Sequence, residues 1–282
     1  MTFKEQRLAF AKILNTYYPQ EEISSFFYLL TEHHFGLTKF ETHQKDAEDF
    51  PEAKEPFFFQ ALQKLQRSEP IQYILGETEF YGHPFKVNKH TLIPRPETEE
   101  LVELILADQK NNSSEIHILD IGTGSGCIAI SLAKELKNAK VSALDISEGA
   151  LEVARENAKI NTVEVDFVQR DILTSETVTA SYDIIVSNPP YVRNLEKKMM
   201  QKNVLVHEPE TALFVSDDDP LVFYRRIAQL AHENLKEGGF LYFEINEYLG
   251  AEMTELITHL GFKNCSIKKD IYGKDRMMRA SI

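Results

Sequence analysis

A glycine-rich turn between an apolar run and an amphipathic segment constrains this chain most. The run Ile116–Ile121 is short and apolar, as in a buried strand. Residues 122–126 follow, with the pattern Gly-x-Gly-x-Gly, and residues 128–133 then show apolar positions at helical spacing. Glycines let a backbone turn tightly and approach a ligand closely. The sequence therefore predicts a strand, a turn that faces a ligand, and a helix.

Strands and helices continue to alternate after this turn. The further strands are predicted at residues 141–144, 163–168, 182–186, 240–245, 262–267 and 277–282, and helices at 151–160 and 221–235. This alternation is typical of a parallel sheet covered by helices on both faces. The fold class is therefore α/β.

Acidic residues follow two of the predicted strands. Asp145 ends the second strand, where a carboxylate can accept hydrogen bonds from two ribose hydroxyls. Asp171, followed by Ile172, ends the third and can reach an adenine amino group. The glycine spacing differs from that of dinucleotide sites, and no lysine ends the loop, which argues against ATP. The candidate cofactor-binding residues are Gly122, Thr123, Gly124, Ser125, Gly126, Asp145, Asp171, Ile172 and Asn188.

A stiff loop follows the fourth predicted strand. It reads Asn188-Pro189-Pro190-Tyr191. The prolines lack an N–H and restrict the residues before them, so the strand must stop here. The loop offers an amide side chain, carbonyls without matching N–H groups and an aromatic ring. These groups together can bind a planar group that carries an amide.

The first 75 residues are predicted to be helical. Leu8, Ile13 and Leu14 lie at helical spacings, and so do the apolar residues within 23–30 (Ile23, Phe26, Phe27 and Leu30) and within 57–65 (Phe57, Phe58, Phe59, Leu62 and Leu65). Gly82, between aromatic and alternating flanks, predicts a hairpin, and Pro96 begins a further helix. This first part shows no catalytic constellation, which favours a role in recognition or packing.

The overall charge and the cysteines limit the functional classes. The chain has 31 basic and 44 acidic residues, a net charge of −13, which argues against a nucleic-acid partner and suits a basic protein partner. No apolar run is long enough to span a membrane. Cys127 and Cys265 form neither a disulfide framework nor a metal cluster, so we expect a cytoplasmic protein without a metal.

The order of these parts resembles the S-adenosylmethionine-dependent methyltransferases with a Rossmann-like sheet. Segments along nearly the whole chain resemble the PrmC/HemK family, the peptide chain release factor glutamine methyltransferases. These segments are residues 70–76, 80–82, 92–99 and 188–191, His207-Glu208-Pro209 with Ala212 and Leu213, and Asp270, Gly273, Asp275 and Arg276. One departure is Asn246, where the family pattern leads us to expect glycine.

The resemblance implies a division of the chain and a reaction. It implies a helical substrate-recognition domain at 1–75, a β-hairpin linker at 76–95 and a seven-stranded catalytic domain at 96–282. The cofactor would be S-adenosyl-L-methionine, with S-adenosyl-L-homocysteine as product. The substrate would be the glutamine of the Gly-Gly-Gln loop in release factors, bound by a monomeric enzyme.

The same resemblance gives roles to the loop. Asn188 and Pro189 would accept hydrogen bonds from the two N–H groups of the substrate amide, and Tyr191 would lie against the amide plane. The expected catalytic residues are thus Asn188, Pro189 and Tyr191, and Pro190 joins them in binding substrate. His207 is a candidate proton acceptor by motif, but a structural role for it is favoured.

Three other functions share these motifs. An adenine-N6 methyltransferase of nucleic acid has the same loop, but the charge of −13 disfavours it. A glutamine methyltransferase of a ribosomal protein would share almost every motif. A non-catalytic adaptor is disfavoured because both loops are intact.

Overall fold

The computed structural model describes residues 1–174 and 181–282, which form two compact units. The helical unit comprises Met1–Gly76 with Gln201–His207. The sheet unit comprises Glu77–Met200 and Glu208–Ile282. Among the described residues, no helix is both long enough and apolar enough to cross a membrane.

The helical unit is built around aromatic rings. Its helices are α1 (Phe3–Leu14), α2 (Gln20–Phe35), α3 (Lys39–Gln44), α4 (Glu55–Gln66) and α5 (Ile71–Leu75). The ring of Phe50 lies edge-on to those of Phe3 and Phe58, with centroid distances of 4.9 and 5.0 Å. Edge-to-face pairs of this kind add about 0.5–1.5 kcal/mol each beyond burial.

The first helix is confirmed, but its buried face differs from the predicted spacing. Phe3, Phe10 and Leu14 are buried, whereas Leu8 is 58% and Ile13 43% exposed. Thr2 accepts a hydrogen bond from the Glu5 backbone N–H and donates its own N–H to the Glu5 carboxylate. This capping box begins the helix at Phe3.

The sheet unit carries the remaining elements. Its helices are α6 (Pro96–Gln109), α7 (Cys127–Glu135), α8 (Glu148–Asn161), α10 (Glu210–Leu213), α11 (Val222–Asn234) and α12 (Gly250–His259), while α9 (Lys202–His207) belongs to the helical unit. The strands are β1 (Glu77–Phe80), β2 (His83–Lys86), β3 (Ile116–Ile121), β4 (Ala139–Asp145), β5 (Val165–Gln169), β6 (Tyr182–Ser187), β7 (Val192–Arg193), β8 (Phe214–Val215), β9 (Leu235–Glu244), β10 (Lys263–Lys269) and β11 (Asp275–Ser281).

The predicted hairpin is present and packs on a helix. Strand β1 pairs with β2 in antiparallel register, and Tyr81 and Gly82 form the turn with φ angles of 51° and 72°. Two positive φ angles suit a tight hairpin turn. The buried side chain of Asn157 in α8 accepts from the N–H of Lys86 and donates to its carbonyl. These bonds fix β2 against α8.

The seven-stranded sheet has the order β10-β11-β9-β6-β3-β4-β5. The pairs from β9 through β5 are parallel, while β11 is antiparallel to both β9 and β10. Strand β4 lies on one side of β3, and β6 lies on the other. The direction of winding thus reverses at β3, and ligands bind at such a switch point, outside the carboxyl ends of the strands.

Both faces of the sheet are covered. Ile116 and Ile118 of β3 pack in a core with α6 and α7, whereas Leu119 and Ile121 pack in a core with α11 and α12. The period of two follows from strand geometry and explains why β3 has apolar residues on both faces. The α/β class predicted from the sequence is confirmed, and the antiparallel pairing of β11 is the difference from the parallel sheet that we expected.

Candidate active site

The glycine turn leaves β3 at the switch point. Gly122 and Gly124 have φ angles of 76° and 56°, in the left-handed region that glycine adopts without strain. The N–H groups of Gly122 and Thr123 both donate to the carbonyl of Leu144, at 2.8 and 2.9 Å. These bonds hold the turn against the end of β4.

Asp145 completes the turn from the neighbouring strand. Its Oδ2 accepts from the N–H of Gly124 at 2.8 Å and its Oδ1 from the N–H of Ser147 at 2.9 Å. Burial raises the pKa of Asp145, and these backbone hydrogen bonds oppose the rise. Each carboxylate oxygen has two lone pairs, so acceptor capacity remains for ligand hydroxyls.

A second carboxyl group is buried below the turn. Oδ2 of Asp120 accepts from the Thr123 hydroxyl at 2.6 Å. Asp120 is fully buried, and this burial raises its pKa to about 7. The Thr123 side chain is therefore engaged under the turn.

A cavity of about 350 Å³ lies at this edge of the sheet. The predicted site residues that line it are Gly122, Gly124, Asp145, Asp171, Ile172, Asn188, Pro189 and Pro190. Its lining also includes residues for which we predicted no role, among them His90, Leu92, Thr211, Phe223 and Ile227. Because a nucleoside needs an apolar slot with a few polar groups, this lining fits one.

Four predicted site residues lie outside this lining. Thr123 bonds to Asp120, and the Ser125 carbonyl accepts from Asn157. A Cβ on Gly126 would lie 2.8 Å from Cδ1 of Ile130 and 3.2 Å from Cβ of Ala154, so this glycine permits close helix packing. Tyr191, the fourth, packs against the core that contains α11. Cofactor contacts from the first three stay predictions.

The turn and the Asn188 loop approach each other closely. A Cβ on Gly122 would come within 4.0 Å of the Asn188 carbonyl oxygen. The hydroxyl of Ser187 donates to the carbonyl of Ile121 at 2.6 Å. Strand β6 therefore delivers Asn188 directly beside the glycine turn.

Two buried polar residues hold the Asn188 loop. Nδ2 of Asn188 donates to Oγ1 of Thr98 at 3.3 Å, and that hydroxyl donates to Oε2 of Glu244 at 2.6 Å. The hydroxyl of Tyr191 donates to Oε1 of Glu244 at 2.8 Å. Burial raises the pKa of Glu244, while the bonds from Thr98 and Tyr191 and the charge of Arg276 oppose the rise.

The position of Glu244 follows from the sheet. Phe243 of β9 pairs in parallel with Ser187 of β6, so Glu244 and Asn188 leave neighbouring strands at the same level. Thr98 comes from the first turn of α6. Neither residue was assigned a role from the sequence, because nothing in either neighbourhood specifies a partner 146 positions away.

Tyr191 is held at both its hydroxyl and its backbone. The side-chain nitrogen of Asn246 donates to the Tyr191 carbonyl and to the carboxylate of Glu196, each at 3.0 Å. Burial, and then the charge of Glu244, raise the pKa of the Tyr191 phenol well above its usual value. Asn246, the one departure from the family pattern, thus supports the end of this loop.

Residues of the other segments that resemble the family form hydrogen bonds and ion pairs. Arg95 donates to Oε1 of Glu208 at 2.6 Å, and the N–H of Ile93 donates to Oε2 at 3.2 Å. Arg276 pairs with Asp270 at 3.1 Å. His207 has Nε2 2.9 Å from the Arg67 carbonyl oxygen, within the helical unit. This contact fits the structural role that we favoured for His207.

Comparison with known proteins agrees with this geometry. Residues 98–216 match the methyltransferase small domain and residues 7–76 match the PrmC N-terminal domain. A 16S rRNA N2 methyltransferase from Thermus thermophilus, solved with S-adenosylmethionine and guanosine, shares the fold with a TM-score of 0.52. It is 17% identical, over 73% of this chain and 49% of that one. The fold and site define an S-adenosyl-L-methionine-dependent methyltransferase.

Two relatives place the chain within this class. The release factor glutamine methyltransferase of Flavobacterium psychrophilum is 50% identical over 100% of this chain and 99% of its own. That of Bacteroides thetaiotaomicron is 46% identical over 95% of this chain and 96% of its own. The chain belongs to the release factor glutamine methyltransferase family.

Proposed function

We propose that this protein methylates the side-chain amide nitrogen (N5) of the glutamine in the Gly-Gly-Gln loop of peptide chain release factors. The observation that carries the proposal is the orientation of Asn188. Its Nδ2 is directed to Thr98, which leaves Oδ1 on the other side of the amide as an acceptor. A substrate amide needs acceptors of this kind for its two N–H bonds. The names of the full-length relatives support the choice of release factors.

The residues of the cavity fit the cofactor. Gly122 and Gly124 leave open the space that side chains would fill, and Asp145 offers a carboxylate for ribose hydroxyls. Asp171 and Ile172 line the cavity where we place the adenine. When bound, S-adenosyl-L-methionine supplies a methyl group on a positively charged sulfur.

The chain's own residues then orient the nucleophile. Oδ1 of Asn188 and the Pro189 carbonyl accept hydrogen bonds from the two N–H groups of the substrate amide, so the amide nitrogen faces the methyl group. Such positioning contributes up to about 7–11 kcal/mol. The acceptors stabilise the positive charge that develops on nitrogen as the N–C bond forms and the S–C bond breaks. The surplus proton leaves to solvent.

A direct experiment separates the candidate substrates. The protein is incubated with methyl-labelled S-adenosylmethionine and, separately, with a release factor, ribosomal proteins or DNA. We expect label on the release factor, located by mass spectrometry at the Gly-Gly-Gln glutamine. Label on DNA adenine or on a ribosomal protein, with none on the release factor, would contradict the proposal. Asn188→Ala serves as the control with strongly reduced labelling.

We propose that the helical region at 1–75 holds the release factor, that the hairpin at 76–95 is a linker and that 96–282 is catalytic. Phe40 and Phe59, 71% and 60% exposed, offer apolar contacts. Phe40→Ser and Phe59→Ser should raise KM for intact release factor and leave KM for a short Gly-Gly-Gln peptide unchanged. Equal effects on both substrates would contradict this role.

We also propose that the enzyme works as a cytoplasmic monomer on a basic protein surface, without nucleic acid, metal or membrane. The net charge of −13 supports a basic partner. Sedimentation analysis should give the mass of one chain. Methylation of the release factor should weaken as salt is added, because surface charges are screened.

A further inference from the structure

One buried carboxylate holds both ends of the Asn188–Tyr191 loop. Oε1 of Glu244 accepts directly from the Tyr191 hydroxyl, and Oε2 accepts from Thr98, which in turn accepts from Asn188. Thr98 is 3% and Glu244 2% exposed. The chain of hydrogen bonds therefore lies away from bulk solvent, where each polar group needs its partner.

The direction of these bonds is set by chemistry. An ionised carboxylate can only accept, so the Thr98 hydroxyl must give its single proton to Glu244. The lone pairs of Thr98 then remain for Asn188, which can meet them only with its NH₂ group. If the side-chain amide of Asn188 were rotated by 180°, its Oδ1 would face the Thr98 oxygen with no proton between them. Burial raises the pKa of Glu244, whereas the hydrogen bonds from Thr98 and Tyr191 and the positive charge of Arg276 favour the ionised carboxylate that this arrangement requires.

We propose that Thr98 and Glu244 are positioning residues that fix which group of the Asn188 side-chain amide, the oxygen or the NH₂, is directed to the substrate. Glu244 orients the Thr98 hydroxyl, Thr98 selects the NH₂ group of Asn188, and Oδ1 is thereby held toward the substrate nitrogen. This inference rests on the proposed function, because it specifies how that reaction's acceptor is oriented. Thr98 and Glu244 act through Asn188 and need not touch the substrate themselves.

The test is a double-mutant cycle between Thr98 and Asn188. In Thr98→Val the shape is kept and the hydroxyl is lost, and we expect kcat to fall about ten-fold or more. KM and the affinity for S-adenosylmethionine should change less than about two-fold. Thr98→Ser, which keeps the hydroxyl, should restore most of kcat. In an Asn188→Ala background, Thr98→Val should have almost no further effect, because the two residues act as one unit.

Several outcomes would overturn the inference. Wild-type kcat in Thr98→Val would do so, and so would an equal further loss in the Asn188→Ala background, which would indicate general damage to the fold. Thr98→Ala, free of any added methyl group, repeats the cycle if the valine variant does not fold. Thr254→Val is the matched control, since the Thr254 hydroxyl donates to the Gly250 carbonyl in α12, outside the cavity lining.

A further substitution tests whether Glu244 sets the direction of the Thr98 hydrogen bond. Glu244→Gln can donate as well as accept, so it no longer dictates the direction of the Thr98 bond. We expect kcat to fall with little change in cofactor affinity, and no additional loss on combining it with Thr98→Val. All variants are assayed with whichever acceptor the wild type labels. An unlabelled release factor would therefore contradict the proposed function, while additive losses on any labelled acceptor would contradict only this inference.

Discussion

The N–H of Gly124 donates to the carboxylate of Asp145 across two neighbouring strand ends, at 2.8 Å. The residue that we expect to bind ribose therefore also shapes the turn that approaches the cofactor. One side chain serves both tasks because β3 and β4 are adjacent and parallel. Substituting it should affect the ligand and the turn together.

Asp145→Ala should weaken the binding of S-adenosylmethionine ten-fold or more. Loss of hydrogen bonds to a charged group costs about 1.5–3 kcal/mol, and the turn also loses its partner at Gly124. Isothermal calorimetry measures the effect. Asp166→Ala, at an exposed position of the adjacent strand β5, should bind normally. Unchanged affinity in a folded Asp145→Ala protein would show that Asp145 does not bind S-adenosylmethionine.

Asn188→Ala should lower kcat by about 10²-fold, the scale seen when a hydrogen bond to a transition state is lost. The affinity for S-adenosylmethionine should change much less, because the turn and Asp145 are intact. Single-turnover methylation and calorimetry separate the two quantities. Asn111→Ala, at an exposed loop position, is the control. Near wild-type turnover would contradict the orienting role.

Gly126→Ala should destabilise the protein more than Gly238→Ala. Both glycines have positive φ, 82° and 77°, so both variants carry the backbone cost of about 1–2 kcal/mol. A Cβ at Gly238 meets nothing within 4 Å, whereas one at Gly126 would lie 2.8 Å from Cδ1 of Ile130. Overpacking adds about 1–3 kcal/mol. Equal free energies of unfolding in urea would show that helix packing at Gly126 can relax.

Asp120 should make stability depend on pH. Burial raises its pKa from 3.8 to about 7 in the folded protein. The stabilising contribution of this group is thus fully present below about pH 4, and it is lost as pH rises through about 7. The stability of the wild type relative to Asp120→Asn should fall by up to about 4 kcal/mol over this range.

Urea unfolding of both proteins at a series of pH values measures that difference. Asp166→Asn provides an exposed carboxyl for comparison and should show no such trend. Parallel stability curves for the wild type and Asp120→Asn would mean that Asp120 is not neutralised by burial.

The sheet was predictable because its buried strands leave a local signal. Predicted strands 116–121 and 182–186 correspond to Ile116–Ile121 and Tyr182–Ser187, since apolar β-branched runs bounded by glycine or proline have few other uses. Strand β9 instead begins at Leu235, five residues before the prediction, across a polar stretch with two glycines. Such residues pair through their backbone, which composition does not reveal.

The face of α1 and the support of Asn188 were not predictable for another reason. Apolar residues of α1 lie on two overlapping faces, and packing against Phe27 and Phe50 selects the one that carries Phe3 and Phe10. Thr98 of α6 and Glu244 of β9 meet only because the fold packs this helix against this strand. Both outcomes depend on tertiary contacts, so a local pattern carries no information about them.

The position of β11 has a consequence for synthesis of the chain. This strand is made after β9 and β10, yet it lies between them and pairs with both. During translation the edge of β9 must therefore stay open until the ribosome has delivered residues 275–281. Open edges invite pairing with other chains. A ribosome stalled before this strand would leave a nascent protein prone to aggregation, although every residue lining the cavity had already been made.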